Sequence, residues 1–141
     1  MMYLLDTDHL SVLERGGVQA ERLRQRLATV APDQVAVTIV SYEEQTRGWL
    51  SYMAKARSVS EQVTVYQHLQ RHLQTFCTIP LIGFDDAAAQ LVQHLQKSRI
   101  RMGTMDMKIA AIALVQQAIL LTRNVSDFRH VPNLQVEDWT A

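Results

Sequence analysis

The sequence predicts an α/β protein built on a central parallel sheet of about five strands with helices on both faces. Three observations predict it. Short apolar runs alternate along the chain with longer stretches of helical periodicity, the pattern of repeated strand–helix units. One stretch, Ile109, Ala110, Ala111, Ile112, Ala113 and Leu114, is apolar nearly all round, as a helix in the middle of a layered domain must be. Five Gly and three Pro in 141 residues are too few for the many turns of a sandwich or barrel.

Taken in order, Met1–Leu5 is a short apolar strand that ends at Asp6. Thr7–Arg15 reads as a helix stopped by Gly16 and Gly17, and Gln19–Val30 as a second helix ended by Pro32. Val35–Val37 is a β-branched, buried strand. Ser41 and Glu44 fit a capping box, as do Ser58 and Glu61, so two helices over 41–56 and 59–76 form an αα-hairpin. Thr78–Ile82 is a third strand, and Pro80 places it at a sheet edge. Asp85 caps a helix whose stripe is Ala88, Leu91, Val92 and Leu95, and Thr104 caps the Ile/Ala helix. Ile119–Thr122 and Leu134–Val136 complete the strands.

The chain reads as a single domain, 1–141, long enough to bury a core without disulfides or a structural metal. Its lone Cys77 excludes an internal disulfide, and Cys/His zinc spacing is absent. Fourteen Lys+Arg balance fourteen Asp+Glu, which argues against a basic nucleic-acid arm or a polybasic membrane patch. No apolar run approaches the about 20 residues of a membrane span, and no signal-peptide pattern opens the chain, so the expected compartment is cytoplasmic, with no membrane partner. No Gly-rich phosphate loop is present.

The acids carry the chemical signal. Asp6 closes the first strand and Asp8 follows. Glu43 and Glu44 open the helix after the second strand, Asp106 the Ile/Ala helix, and Asp127 lies beyond the fourth strand after Asn124. In a parallel sheet, strand ends and following helix starts share one rim, where ligands bind. Singly, each acid has a plainer role: Glu44 as a capping-box residue, Asp106 facing a helix dipole, Asp127 in a turn. Asp6 is harder to dismiss, since an acid ending a buried strand needs a partner. Converging carboxylates are costly unless a cation neutralises them, and an oxygen-only ligand set suits Mg²⁺ or Mn²⁺. Such an ion commonly acts on phosphate esters.

Four blocks resemble one family. Leu4-Leu5-Asp6-Thr7-Asp8-His9-Leu10-Ser11 resembles L-D-T-N-x-x-S, the opening of PIN-domain ribonucleases. Thr38-Ile39-Val40-Ser41-Tyr42-Glu43-Glu44-Gln45-Thr46-Arg47-Gly48 is similar to their S-x-I-T-x-x-E-L-x-x-G. Asp106-Met107-Lys108-Ile109-Ala110-Ala111-Ile112-Ala113 resembles D-x-x-I-A-A-x-A. Thr122-Arg123-Asn124-Val125-Ser126-Asp127-Phe128, then Val131-Pro132-Asn133-Leu134 and Trp139, resembles the closing block. The blocks come in the family's order and span the chain, whose length matches the VapC-like members. The resemblance implies a three-layer α/β/α fold and a Mg²⁺- or Mn²⁺-dependent endoribonuclease. It also implies RNA as substrate, a toxin paired with a cognate antitoxin protein, and a homodimer. By position, it implies Asp6 and Asp106 as metal ligands. Glu44 is favoured over Glu43 as the second-block acid because it stands four before Gly48 and three after Ser41; Asp127 or Asn124 completes the set. Asp8 replaces the usual Asn, Gln45 the usual Leu, and Thr122 orients a carboxylate through its hydroxyl.

Lys97, Arg99 and Arg101 form a basic stretch before Asp106 that could contact RNA phosphates, and eleven of the fourteen cations are Arg. His68 and His72, four apart, lack an evident third ligand and read as helix surface. Trp49, Tyr52, Met53, Tyr66, Leu69, Leu73 and Phe76 read mostly as core, any surplus forming a dimer seam or an antitoxin groove. The competing readings are a PIN nuclease in RNA processing, a non-catalytic RNA- or protein-binding module on the same fold, and a flavodoxin-like phosphoacceptor. The last leaves the Ile/Ala-helix and closing blocks unexplained.

Overall fold

The computed structural model describes residues 1–141. The elements are β1 (Tyr3–Leu5), α1 (Thr7–Arg15), α2 (Val18–Leu27), β2 (Val35–Thr38), α3 (Ile39–Lys55), α4 (Val59–Thr78), β3 (Leu81–Ile82), α5 (Asp86–Lys97), α6 (Thr104–Val115), β4 (Ile119–Leu121), α7 (Val125–Phe128) and β5 (Gln135–Glu137). The sheet order is β3-β2-β1-β4-β5 and every pairing is parallel. The chain winds outward from β1 to β3, crosses back, and continues through β4 to β5 on the other side. The winding reverses between β1 and β4, where open α/β sheets leave a crevice beyond the strand ends.

Strand alternation divides the apolar residues between two layers. Leu4, Ala36 and Leu120 point to a core closed by α5 and α6. Leu5, Val37, Ile119 and Leu121 point the other way, against Leu10, Val12, Ala20, Leu23 and Phe76. Helices therefore cover both faces, giving the three layers. Helix α6 is the most enclosed, with Ile109, Ala110, Ala111, Ile112 and Ala113 all buried. Its alanines let neighbouring elements approach closely while its first turn stays at the rim. No helix is long and apolar enough to cross a membrane.

Several local expectations are corrected. Thr38, not Ser41, caps α3: its Oγ1 accepts from the Ser41 N–H at 3.1 Å, and the helix starts at Ile39. Glu44 therefore sits in the second turn, where it cannot act as a capping-box residue. Gly103, not Thr104, is the N-cap of α6, without a side-chain cap. Helix α4 runs on to Thr78, leaving β3 as two residues at the sheet edge. Helix α2 ends at Leu27, before a 3₁₀ turn at Pro32–Gln34. His72 is buried rather than on the surface: it stacks on Tyr42 and its Nε2 lies 2.7 Å from Thr46 Oγ1. Conversely, Tyr52, Tyr66 and Leu73 are exposed, together with Leu50, Val59 and Val63, so the hairpin carries a real apolar surplus.

The cap assignment is testable. Thr38→Val keeps the volume and β-branching but strands the Ser41 N–H, so urea unfolding should show a loss of about 1–2 kcal/mol. An unchanged midpoint would contradict the assignment.

Candidate active site

The rim at the β1/β4 reversal is built by four segments. The Asp6 N–H donates to Leu121 O at 2.9 Å, extending the ladder one residue past β1 and fixing Asp6 against the end of β4. Asp6 is 5% exposed. Oδ1 accepts from the Thr7 N–H at 2.7 Å, and Oδ2 from the Thr122 hydroxyl at 2.8 Å. Thr122 follows β4, is fully buried, and accepts from the Asn124 N–H at 3.0 Å, so its single proton is directed toward the acids.

Asp8 stands one helical position further on, with both oxygens engaged. Oδ1 lies 2.9 Å from His9 Nδ1, while Oδ2 is 3.0 Å from both the Thr122 hydroxyl and the Arg123 N–H. Such a saturated carboxylate positions its neighbours and has little capacity left for a ligand. Glu44 reaches the rim from α3. Its Oε1 accepts from the Thr7 hydroxyl at 2.7 Å, and Thr7 Oγ1 also lies 2.9 Å from buried Ser41 Oγ. Oε2 is left without a protein partner. Glu43 instead pairs with Arg47 at 2.6 Å, four residues along α3. Asp106, in the first turn of α6, is half-buried, and neither of its oxygens has a protein partner. Asp127 is exposed on α7, where Asn124 Nδ2 donates to its Oδ2 at 3.0 Å.

Proton affinities register this convergence. Burial, then the Asp8 charge, push Asp6 up to about 7 against the pull of its Thr122 and Thr7 hydrogen bonds, with Asp106 adding to the rise. Burial also raises Glu44 despite its Thr7 bond, with Asp106, Glu43 and Asp8 adding repulsion. Asp106 is raised by burial and by Asp127 and Asp8. Burial would raise Asp8 too, but the His9 ring, through its hydrogen bond and through its charge whenever it is protonated, outweighs it together with the Arg123 N–H and Thr122 hydroxyl and holds the pKa below the ordinary value. Carboxylates from four segments, Asp6 with Asp8, Glu44, Asp106 and Asp127, thus feel one another across one crevice.

The donor set suits a hard cation. It offers oxygen only, with free lone pairs on Asp106 and on Glu44 Oε2, beside a carboxyl that burial, reinforced by neighbouring charges, keeps from ionising easily. No three Asp, Glu, His or Cys side chains form a ready-made cage. An ion here would be held by one or two carboxylates and keep several waters, as Mg²⁺ characteristically does. Lys97, Arg99 and Arg101 lie exposed near and on the α5–α6 loop that leads into the Asp106 turn, and none makes an ion pair. Thr7, Ser41 and His9 are the polar partners that sequence reasoning did not single out. Only His9 left a trace, as a polar residue on the apolar face of α1 beside Leu10 and Val12.

A parallel sheet of order 3-2-1-4-5 between two helical layers, with carboxylates gathered at its reversal, is a PIN-like α/β/α fold. The comparisons agree and narrow it. No family model matches the chain. Ribonuclease VapC1 of Haemophilus influenzae strain R2866 is 29% identical over 142 residues, covering 99% of each chain. Ribonuclease VapC1 of Rickettsia felis is 25% identical over 139 residues, covering 96% of this chain and 95% of the other. Among solved structures, VapBC-1 from nontypeable Haemophilus influenzae superposes over 100% of both chains with a TM-score of 0.79 at 21% identity, a likeness of fold. Over nearly its whole length the chain is thus similar to VapC ribonucleases, and it shares the fold of the VapBC-1 structure.

Asp6 gives the site a pH signature. Its folded pKa lies above its ordinary 3.8, so between about pH 4 and 7 the native chain keeps a proton the unfolded chain has released. Without divalent ions, this contribution to stability is present at low pH and fades as pH rises toward 7. Asp8 has the opposite sign: its contribution is present above its ordinary pKa and is lost in acid. Asp6→Asn removes the Asp6 penalty. In EDTA at pH 8 the variant should exceed the parent by on the order of 2–4 kcal/mol in urea unfolding, with a smaller gap at pH 5. A gap independent of pH would show that Asp6 is not the strained group.

Proposed function

We propose that this chain is a Mg²⁺- or Mn²⁺-dependent endoribonuclease that hydrolyses RNA phosphodiester bonds, and that it is the toxin of a type II toxin–antitoxin pair. The observation that carries the reading is the meeting of Asp6, Glu44, Asp106 and Asp127 at the β1/β4 reversal, each from a different segment, with raised proton affinity in the first three. The ribonuclease names of the relatives matched over nearly their whole length support the reaction class, and structural neighbours that are toxin–antitoxin complexes, one from Klebsiella pneumoniae and one a VapBC system from Mycobacterium tuberculosis, support the biological setting.

Asp6 and Asp106 would hold the ion, with Asp127 or its partner Asn124 at the open side of the crevice. The ion, when bound, supplies Lewis acidity for water and phosphate. The Thr122 hydroxyl aims the Asp6 carboxylate, and Thr7 fixes one oxygen of Glu44. That leaves Glu44 Oε2 to accept a proton from the attacking water, a task favoured by a pKa raised toward neutrality. Water adds to phosphorus as one ester P–O bond breaks. Lys97, Arg99 and Arg101 would engage flanking phosphates. The exposed apolar strip on the α3–α4 hairpin would pack in a homodimer or beneath a cognate antitoxin in the cytoplasm.

Asp6→Asn and Asp106→Asn should each abolish cleavage of a labelled RNA while leaving the circular dichroism spectrum unchanged, and EDTA should do the same reversibly. Full activity in either variant would refute the site. Expression of the parent alone should arrest growth, and the Asp106→Asn chain should not. Neutralising Lys97, Arg99 and Arg101 together should flatten the slope of log affinity for single-stranded RNA against log salt by about 2, at ~0.7 per phosphate contact. An unchanged slope would remove these cations from the interface.

A further inference from the structure

His9 is fully buried in α1, three residues past Asp6, yet both of its ring nitrogens are engaged. Nε2 lies 3.2 Å from the backbone N of Trp139, which can only donate, so Nε2 accepts. The ring is then neutral and carries its proton on Nδ1, which points at Asp8 Oδ1 2.9 Å away. Asp138 Oδ1, at 3.7 Å from Nε2, is too far to compete for it. Asp8 in turn meets the Thr122 hydroxyl that also serves Asp6. The far end is equally well fixed. Trp139 is buried, packs on Tyr3 with ring centroids 4.8 Å apart, lies beneath the Arg26 guanidinium at 4.7 Å, and donates from Nε1 to Glu137 Oε1 at 3.0 Å.

We infer that His9 is a positioning residue for the carboxylate crevice: its imidazole ties the segment after β5 to Asp8, and through Asp8 and Thr122 it sets the direction of the Asp6 carboxylate. The inference rests on the ribonuclease reading and adds to it a device behind the acids. An apolar residue of equal size would fill the same space but leave one Asp8 oxygen and the Trp139 N–H without partners. The occurrence of Asp8 with His9 is thereby explained in physical terms: a carboxylate at position 8 needs one more donor than main-chain groups supply, and the ring beside it provides that donor.

Two near-isosteric substitutions separate the two ends. In His9→Asn, the amide nitrogen reaches the place of Nδ1 and keeps the bond to Asp8 while the Trp139 contact is lost. In His9→Gln, the amide oxygen reaches the place of Nε2 and keeps Trp139 while Asp8 loses its donor. His9→Gln should lower kcat for RNA cleavage by about tenfold or more at unchanged KM, as loss of a partner behind a ligand commonly does. His9→Asn should keep near-parental kcat even if it melts at a lower temperature. If activity in both variants simply follows their melting temperatures, or if His9→Gln retains full kcat, the inference is overturned. Imidazole ¹⁵N spectra of the parent test the link independently of cleavage: they should show a neutral Nδ1–H ring for His9, and an Nε2–H or charged ring at neutral pH would overturn it. A parent inactive on RNA would remove the ribonuclease reading and this role with it, whereas an active parent with a fully active His9→Gln variant would remove the role alone.

Discussion

The burial of one carboxylate is the constraint on which the rest of the site depends. Asp6 must follow directly after β1 because the ladder to Leu121 places it there, and that place is almost closed to water. A charge so placed cannot be stabilised by solvent, so hydroxyl and N–H donors are gathered about it. Thr122 comes from β4, Thr7 from α1, and the Asn124 N–H holds Thr122 in turn. These donors do not bring Asp6 back to an ordinary carboxylate, because burial outweighs them and the nearby Asp8 and Asp106 charges add to the rise. A small, highly charged cation bound there would relieve that cost. The polar network is thus a consequence of the fold.

Much of this was legible in the sequence, for identifiable reasons. Alternating apolar runs locate the strands, because a parallel sheet covered on both faces leaves little room for polar residues. The position of each acid after a strand or in a helix's first turns locates the rim, because parallel strands all end on the same side. The all-apolar run from Ile109 to Leu114 marks the central helix, since no other environment tolerates one. What was not legible depended on which of two nearby groups wins a contest. Thr38 and Ser41 can each cap α3, and the choice falls to Thr38 because Ser41 is buried against Thr7. Glu43 and Glu44 are equivalent on paper, but one rotation along α3 sends the first to Arg47 and the second to Thr7.

The hairpin shows a different limit. Apolar periodicity in α3 and α4 says that these helices have an apolar face, but it does not say how much of that face the chain itself can cover. Tyr42, His72 and Phe76 form a packed aromatic group between the helices, with Tyr42 and His72 stacked 4.8 Å apart. Tyr52, Tyr66 and Leu73 lie outside it. The difference between a residue that fills the seam and one that overhangs it is a matter of packing geometry and leaves no mark in residue type.

The strand order has one more consequence. Tyr3 pairs with Ile119 across nearly the whole length of the chain, and β1 cannot be flanked on both sides until β4 has arrived. Closing so long a loop carries an entropic cost that local contacts do not. Until then Asp6 has neither Thr122 nor Asp106 beside it. The crevice is therefore a product of the completed topology: its carboxylates come together only in a chain whose distant halves have met.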